Sequence, residues 1–138
     1  SLLLGKKAFI DKARRIRKML GGGMRQAGIL AAAGQYALEN NVERLAIDHE
    51  NAQYLSAKLN ELEGFDTTPY SVETNIVYAD IDERLNIGAI SEKMLEQGIN
   101  LTPGYQGMRF VTHMDVNKDD IDTLINTLKC LFNKMNKY

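Results

Sequence analysis

The chain has 138 residues, of which 44% are hydrophobic and 25% charged, with a formal net charge of −1. That is one domain's worth of chain with enough apolar residues for a real core. Its single cysteine, Cys130, excludes an internal disulfide framework and a cysteine-based zinc site and fits a reducing, cytoplasmic setting.

The opening Leu2-Leu3-Leu4 reads as the end of a strand, stopped by Gly5. It is too short for a signal sequence or a membrane span, and no apolar run elsewhere is long enough. A start at Ser1 without an initiator Met is compatible with a fragment. A helix is predicted over 6–20, with Phe9, Ile10, Ala13, Ile16 and Leu20 spaced by three and four. This helix concentrates the chain's basic charge. Residues 1–25 hold Lys6, Lys7, Lys12, Arg14, Arg15, Arg17, Lys18 and Arg25 against Asp11 alone, so the remainder is acidic. Such asymmetry can mark a nucleic-acid or membrane arm. No aromatic platform is interleaved with these cations, and the helix's modest apolar face lacks Trp anchors. We therefore expect neither nucleic acid nor membrane as a partner, but an acidic or anionic partner surface.

Gly21-Gly22-Gly23 cannot sit comfortably inside a helix, yet a second helical pattern, Ala-rich, follows at about 24–39. The glycines read as a hinge, with freed N–H groups at the start of the second helix. Lys18 and Arg25 bracket it, which would suit an anion. A plain helix break with a solvated basic face meets the same spacing.

Asn41 can cap a third helix at about 42–62, with an apolar stripe of Val42, Leu45, Ala52, Leu55, Leu59 and Leu62. Gly64 stops it. A short edge strand at 65–70 is cut by Pro69, and a better strand follows at 75–81. A helix at 87–97 should turn Ile90, Met94 and Leu95 inward and end at Gly98. Strands at 99–102 and 108–113 flank the Pro103-Gly104-Tyr105-Gln106-Gly107 loop. Asn117 then caps a last helix, whose core face is Ile121, Leu124, Ile125, Leu128 and Leu131. Helices stacked on one face of a mostly antiparallel sheet are the natural α+β solution to this order.

Several residues invite a chemical reading. Arg109 lies in a predicted strand, facing opposite to Met108 and Phe110, and Gly107 before it leaves room for a ligand. Its planar fork suits both oxygens of a carboxylate, while an arginine in an antiparallel strand is more usually a solvated residue. No Ser/His/Asp or metal-ligand set surrounds His49 or His113, so both read as hydrogen-bonded structural histidines and no metal is expected. Cys130 reads as a small packing residue. Asp115, Asp119, Asp120 and Asp122 read as a helix-start cluster favoured by the dipole.

One string is more specific than any of these spacings: Arg17-Lys18-Met19-Leu20-Gly21-Gly22-Gly23-Met24-Arg25-Gln26, running into Ala27-Gly28-Ile29-Leu30. It resembles the low-specificity L-threonine aldolases, pyridoxal 5'-phosphate (PLP) enzymes of the aspartate-aminotransferase fold type. Asn41-Val42-Glu43-Arg44-Leu45-Ala46, Thr74-Asn75-Ile76-Val77 and Met108-Arg109-Phe110-Val111-Thr112-His113 are similar in the same order. The resemblance covers essentially the whole chain but only the C-terminal part of the family's length.

It implies that residues 1–38 are the tail of the large PLP-binding domain, 39–64 a linking helix, and 65–138 the small C-terminal α+β domain. It implies that Arg109 holds the substrate α-carboxylate and so helps set the scissile bond perpendicular to the cofactor ring. Lys18 and Arg25 would support anionic groups, offered across a dimer interface. The lysine of the internal Schiff base, the ring-nitrogen carboxylate and the family's catalytic histidines would all lie upstream. No catalytic residue is then expected in this chain, which alone would neither bind PLP covalently nor turn over. The intact enzyme, a homodimer or homotetramer, would cleave L-threonine or L-allo-threonine to glycine and acetaldehyde. A non-catalytic dimerisation or binding module, or another lyase or transferase of the same fold type, is the alternative.

Overall fold

The computed structural model describes residues 2–101, 103–104 and 107–135. The chain divides into two compact units, Ser1–Glu43 and Arg44–Tyr138.

The first unit contains α1 (Lys7–Met19) and α2 (Gly28–Asn40), neither of which buries a residue. Residues 2–6 are exposed and not in a strand. A strand needs a partner for its N–H and C=O groups, and none is supplied among the described residues. The three glycines end α1 rather than begin α2. Gly21 adopts a left-handed φ of 82°, its N–H reaching the carbonyl of Lys18 while the Gly22 N–H reaches that of Arg17. This is the paired closure of a helix whose C′ residue is glycine. The next helix begins only at Gly28, after a turn in which Gln26 also takes a positive φ of 51°.

The second unit opens on α3 (Leu45–Asn60). Asn41 does not cap it, being the C-terminal boundary of α2 instead, and Arg44 stands at the N-cap position. The buried stripe of α3 is Asp48, Asn51, Ala52, Leu55 and Leu59, whereas Val42 and Leu45 are exposed. Two polar residues thus occupy a face expected to be apolar.

Three strands, β1 (Phe65–Asp66), β2 (Ile76–Ile81) and β3 (Gly107–Val111), form an antiparallel sheet in the order β1-β2-β3. The register sets Tyr78 opposite Arg109 and Asp80 opposite Gly107. No strand forms at 99–101, and Thr102 lies outside the described residues. The reason is local. Helix α4 (Ile87–Glu96) closes through Gly98 at φ 77°, which leads Ile99 N–H back to the carbonyl of Met94. Pro103 has no N–H to give a ladder, and only an isolated bridge links it to Met108. Leu95 points outward, leaving Ile90 and Met94 as the buried residues of α4.

Helix α5 (Lys118–Met135) starts on a reciprocal cap: the Asn117 side chain accepts from Asp119 and Asp120 N–H, and Asp120 accepts from Asn117 N–H. Its Ile121, Ile125 and Leu128 are buried, whereas Cys130, expected as a packing residue, is exposed because it falls on the opposite side of the helix. The helices of this unit pack against the sheet face that carries Val77, Ala79, Met108 and Phe110. The other sheet face, with Tyr78, Arg109 and Val111, is open. The chain is therefore an α+β molecule with helices on one face of an antiparallel sheet.

Candidate functional site

Strand alternation explains Arg109. Met108 and Phe110 are buried on the helix-covered face, so the residue between them must project from the open one. Among the described residues no carboxylate pairs with its guanidinium. Around it lies a cavity of about 250 Å³ whose walls include Tyr70, Tyr78 and Asp80. The Tyr70 and Tyr78 rings meet at 5.7 Å, and the Tyr70 hydroxyl donates to Asp80 at 2.6 Å. That bond to a carboxylate is the main reason the Tyr70 phenol is pushed above its ordinary pKa. An unpaired cation beside aromatic walls, with a carboxylate two residues along the neighbouring strand, suits a small anion that also carries a positive group.

Gly107 has a different role from the one its position suggested. A Cβ there would lie 2.5 Å from the backbone oxygen of Ala79, so glycine is demanded by the close approach of β2 rather than by a ligand.

Lys18 and Arg25 are both exposed and belong to the first unit, whereas Arg109 belongs to the second. The Lys18 side chain folds over the glycine turn: a Cβ on Gly23 would meet its Nζ at 2.7 Å. The turn does not offer the expected cradle of free donors. The N–H groups of Gly21, Gly22 and Gly23 bond to the carbonyls of Lys18, Arg17 and Gly21. What the turn can present to an anion is side-chain charge. Lys7, the first lysine of α1, is engaged by Asp11 one turn on.

His113 is exposed, its Nδ1 accepting from the Asp115 N–H at 3.3 Å, and His49 is half-buried. Of the expected acidic cluster, Asp119 and Asp120 occupy the first turn of α5, while Asp122 accepts from the Tyr54 hydroxyl at 2.7 Å.

Sequence reasoning missed a buried polar network behind Arg109. Arg44 grips Asp48 with two hydrogen bonds of 3.0 and 2.8 Å. The Thr112 hydroxyl donates to the backbone oxygen of Asp48 at 2.6 Å. Thr112 N–H donates to the Asn75 carbonyl, and the Asn75 side chain donates back to the Thr112 carbonyl at 2.7 Å. One turn along α3, Asn51 donates to the Val116 carbonyl at 3.0 Å. The signal was present, because Arg44, Asn75 and Thr112 each sit in one of the strings that carried the family resemblance. Only folding brings them together.

The profile of the beta-eliminating lyase family matches residues 1–82. The low specificity L-threonine aldolase of Escherichia coli (strain K12) is 45% identical over 123 residues, 88% of this chain and 35% of that protein. Low-specificity L-threonine aldolase 1 of Arabidopsis thaliana is 37% identical over 133 residues, covering 94% of this chain and 36% of that protein. The chain thus spans about a third of the length of the curated relatives it matches. Among solved structures, a C-DES mutant with glycine covalently linked to its PLP cofactor superposes with a TM-score of 0.59 at 24% identity, over 74% of this chain and 28% of that one, a likeness of fold. With a profile match that spans more than half of its residues, the chain belongs to the beta-eliminating lyase family.

Proposed function

We propose that these residues form the C-terminal part of a PLP-dependent L-threonine aldolase, an aldehyde-lyase that cleaves L-threonine or L-allo-threonine to glycine and acetaldehyde. The observation that carries the reading is Arg109, a guanidinium without a carboxylate partner among the described residues, held on the open face of a sheet whose other face is fully used for packing. Identity of 45% to a threonine aldolase supports that substrate class over others of the family.

Bound PLP supplies the electron sink for the carbon whose bond is cleaved. The chain's own residues bind and orient. Arg109 pairs both oxygens of the substrate α-carboxylate and so fixes the rotation of the substrate about its Cα. Lys18 and Arg25 fit the cofactor's anionic groups as point charges, in keeping with a glycine turn that keeps its N–H groups for itself. The lysine that anchors the cofactor lies outside these 138 residues. Lys7 is engaged by Asp11, and neither Lys6 nor Lys7 stands in the sequence context of such a lysine. By this reading the 138-residue chain is inactive alone, and the intact enzyme is a cytoplasmic homodimer or homotetramer. The exposed Leu20, Met24, Ile29 and Leu30 of the first unit support burial against further chain.

The test is made on the longer protein that contains these residues, loaded with PLP and offered L-threonine, L-allo-threonine and a β-substituted amino acid. We expect aldehyde release from the hydroxy amino acids, and a kcat/KM lower by roughly 100-fold or more in Arg109→Ala, since a charge-assisted bidentate contact is lost. A protein that ignores PLP would overturn the enzyme reading in favour of a binding module. Elimination from the β-substituted substrate without aldolase activity would move it to another lyase.

A further inference from the structure

The buried network behind β3 ends in a residue that nothing in the proposed chemistry uses. We propose that Thr112 is the positioning residue for Arg109: by bonding its hydroxyl to the backbone of Asp48, it fixes the angle at which β3 presents the guanidinium. The inference rests on Arg109 being the carboxylate anchor.

Among the described residues β3 is laddered only to β2, its other side carrying just the isolated bridge from Pro103 to Met108. Arg109 sits three residues before Thr112, about 10 Å along an extended backbone. A strand tied on one side can twist about that ladder, and a bidentate carboxylate contact is sensitive to angle. The free end of the strand is where such a twist is best stopped. Thr112 stops it three ways there, through its N–H, its carbonyl and its hydroxyl. The first two bonds go to Asn75 on the strand that β3 already pairs with. Only the hydroxyl crosses to another layer of the fold, to Asp48 in the first turn of α3.

That acceptor is itself immobile. The Asp48 carboxylate is gripped at both oxygens by Arg44, and Asp48 and Thr112 are 3% and 1% exposed. A threonine at this place could be a packing residue that merely finds a partner for its hydroxyl. Two features favour positioning. The bond is short, at 2.6 Å, and it joins the strand bearing Arg109 to a helix turn already braced by an ion pair. The same helix face also holds the far side of the turn after β3, through Asn51 and Val116.

The experiment compares Thr112→Val, Thr112→Ser and Arg109→Ala in the PLP-loaded longer protein, with glycine binding followed by the cofactor's visible spectrum and thermal midpoints measured in parallel. In the 138-residue chain, hydrogen exchange of the Met108 and Phe110 amides, whose N–H groups face β2, is compared between wild type and Thr112→Val. Thr112→Val keeps the shape and removes the donor; Thr112→Ser keeps the donor. We expect Thr112→Val to weaken glycine binding and raise KM by roughly five- to tenfold with kcat nearly unchanged, a partial misplacement of the anchor. Thr112→Ser should restore most of the affinity, and exchange at Phe110 should quicken in Thr112→Val. Equal losses in Val and Ser, or a lower thermal midpoint with KM unchanged, would make Thr112 a packing residue and overturn the proposal. If Arg109→Ala itself leaves glycine binding intact, the anchor assignment fails first, and the proposal with it.

Discussion

Gly107 shows how far one residue can mislead. In sequence it stands two residues before the arginine on which the functional reading turns, and space for a ligand is the natural inference. The structure gives it to the sheet: a side chain there would drive into the Ala79 carbonyl at 2.5 Å, on backbone that cannot move aside cheaply. Gly107→Ala should therefore part β2 from β3 at its first paired position and shift Arg109 with it. We expect a stability loss of about 1–3 kcal/mol, the range for overpacking, read as a lower urea midpoint with an unchanged slope. A variant as stable as wild type would mean that the strands separate there without cost. The outward direction of the Arg109 side chain was legible for a simple physical reason. Strand alternation is a local rule, and Met108 and Phe110 announce the buried face on either side of it. Thr112 was not legible, because its partner lies 64 residues away on a helix face that periodicity had assigned to apolar packing.

At the scale of elements, the sequence patterns located α1, α4 and the start of α5 to within a residue or two because their caps and closures are chemical signals. Gly21, Gly98 and Asn117 each do locally what their residue type does best. The failures have the opposite character. The strand expected at 99–102 satisfies β propensity, but Ile99 spends its N–H on closing α4 and Pro103 has none. The stripe on α3 holds from Ala52 through Leu55, Leu59 and Leu62 but was started too early: Val42 and Leu45 lie outside, while Asp48 and Asn51 lie inside because their polar groups find partners at and just after the end of β3. The apolar half of that helix carries the core. Leu59 is fully buried among residues of the sheet and the other helices of its unit. Leu59→Ala should cost about 2–5 kcal/mol, lost burial plus an incompletely collapsed cavity, whereas Leu45→Ala at the exposed end should fall within about 0.5 kcal/mol of wild type. Comparable losses at the two positions, by chemical denaturation, would contradict the burial pattern of α3.

For the whole molecule, every buried hydrophobic residue among those described lies at Ala52 or beyond. The second unit therefore holds the only core that can drive cooperative folding from these residues. The first unit has two helices of 13 residues that bury nothing, a length at which isolated helices are marginal in water. An element of that kind earns its order from contacts with further chain, which fits a chain that spans only about a third of the length of its relatives. The consequence can be measured directly on the 138-residue chain. Amides of α1 and α2 should exchange within seconds to minutes, a protease should remove them first, and residues 44–138 should unfold cooperatively with a midpoint close to that of the longer chain. The network of Arg44, Asp48, Thr112 and Asn75 stays whole in that truncated form, so its β3 amides should remain as protected as before. If instead the truncation lowers the midpoint by several degrees, the first unit contributes stability that its exposed helices do not reveal. Starting the truncated form at residue 49, which removes Arg44 and Asp48, should loosen the Thr112 end of β3 even though every residue of the apolar core is retained.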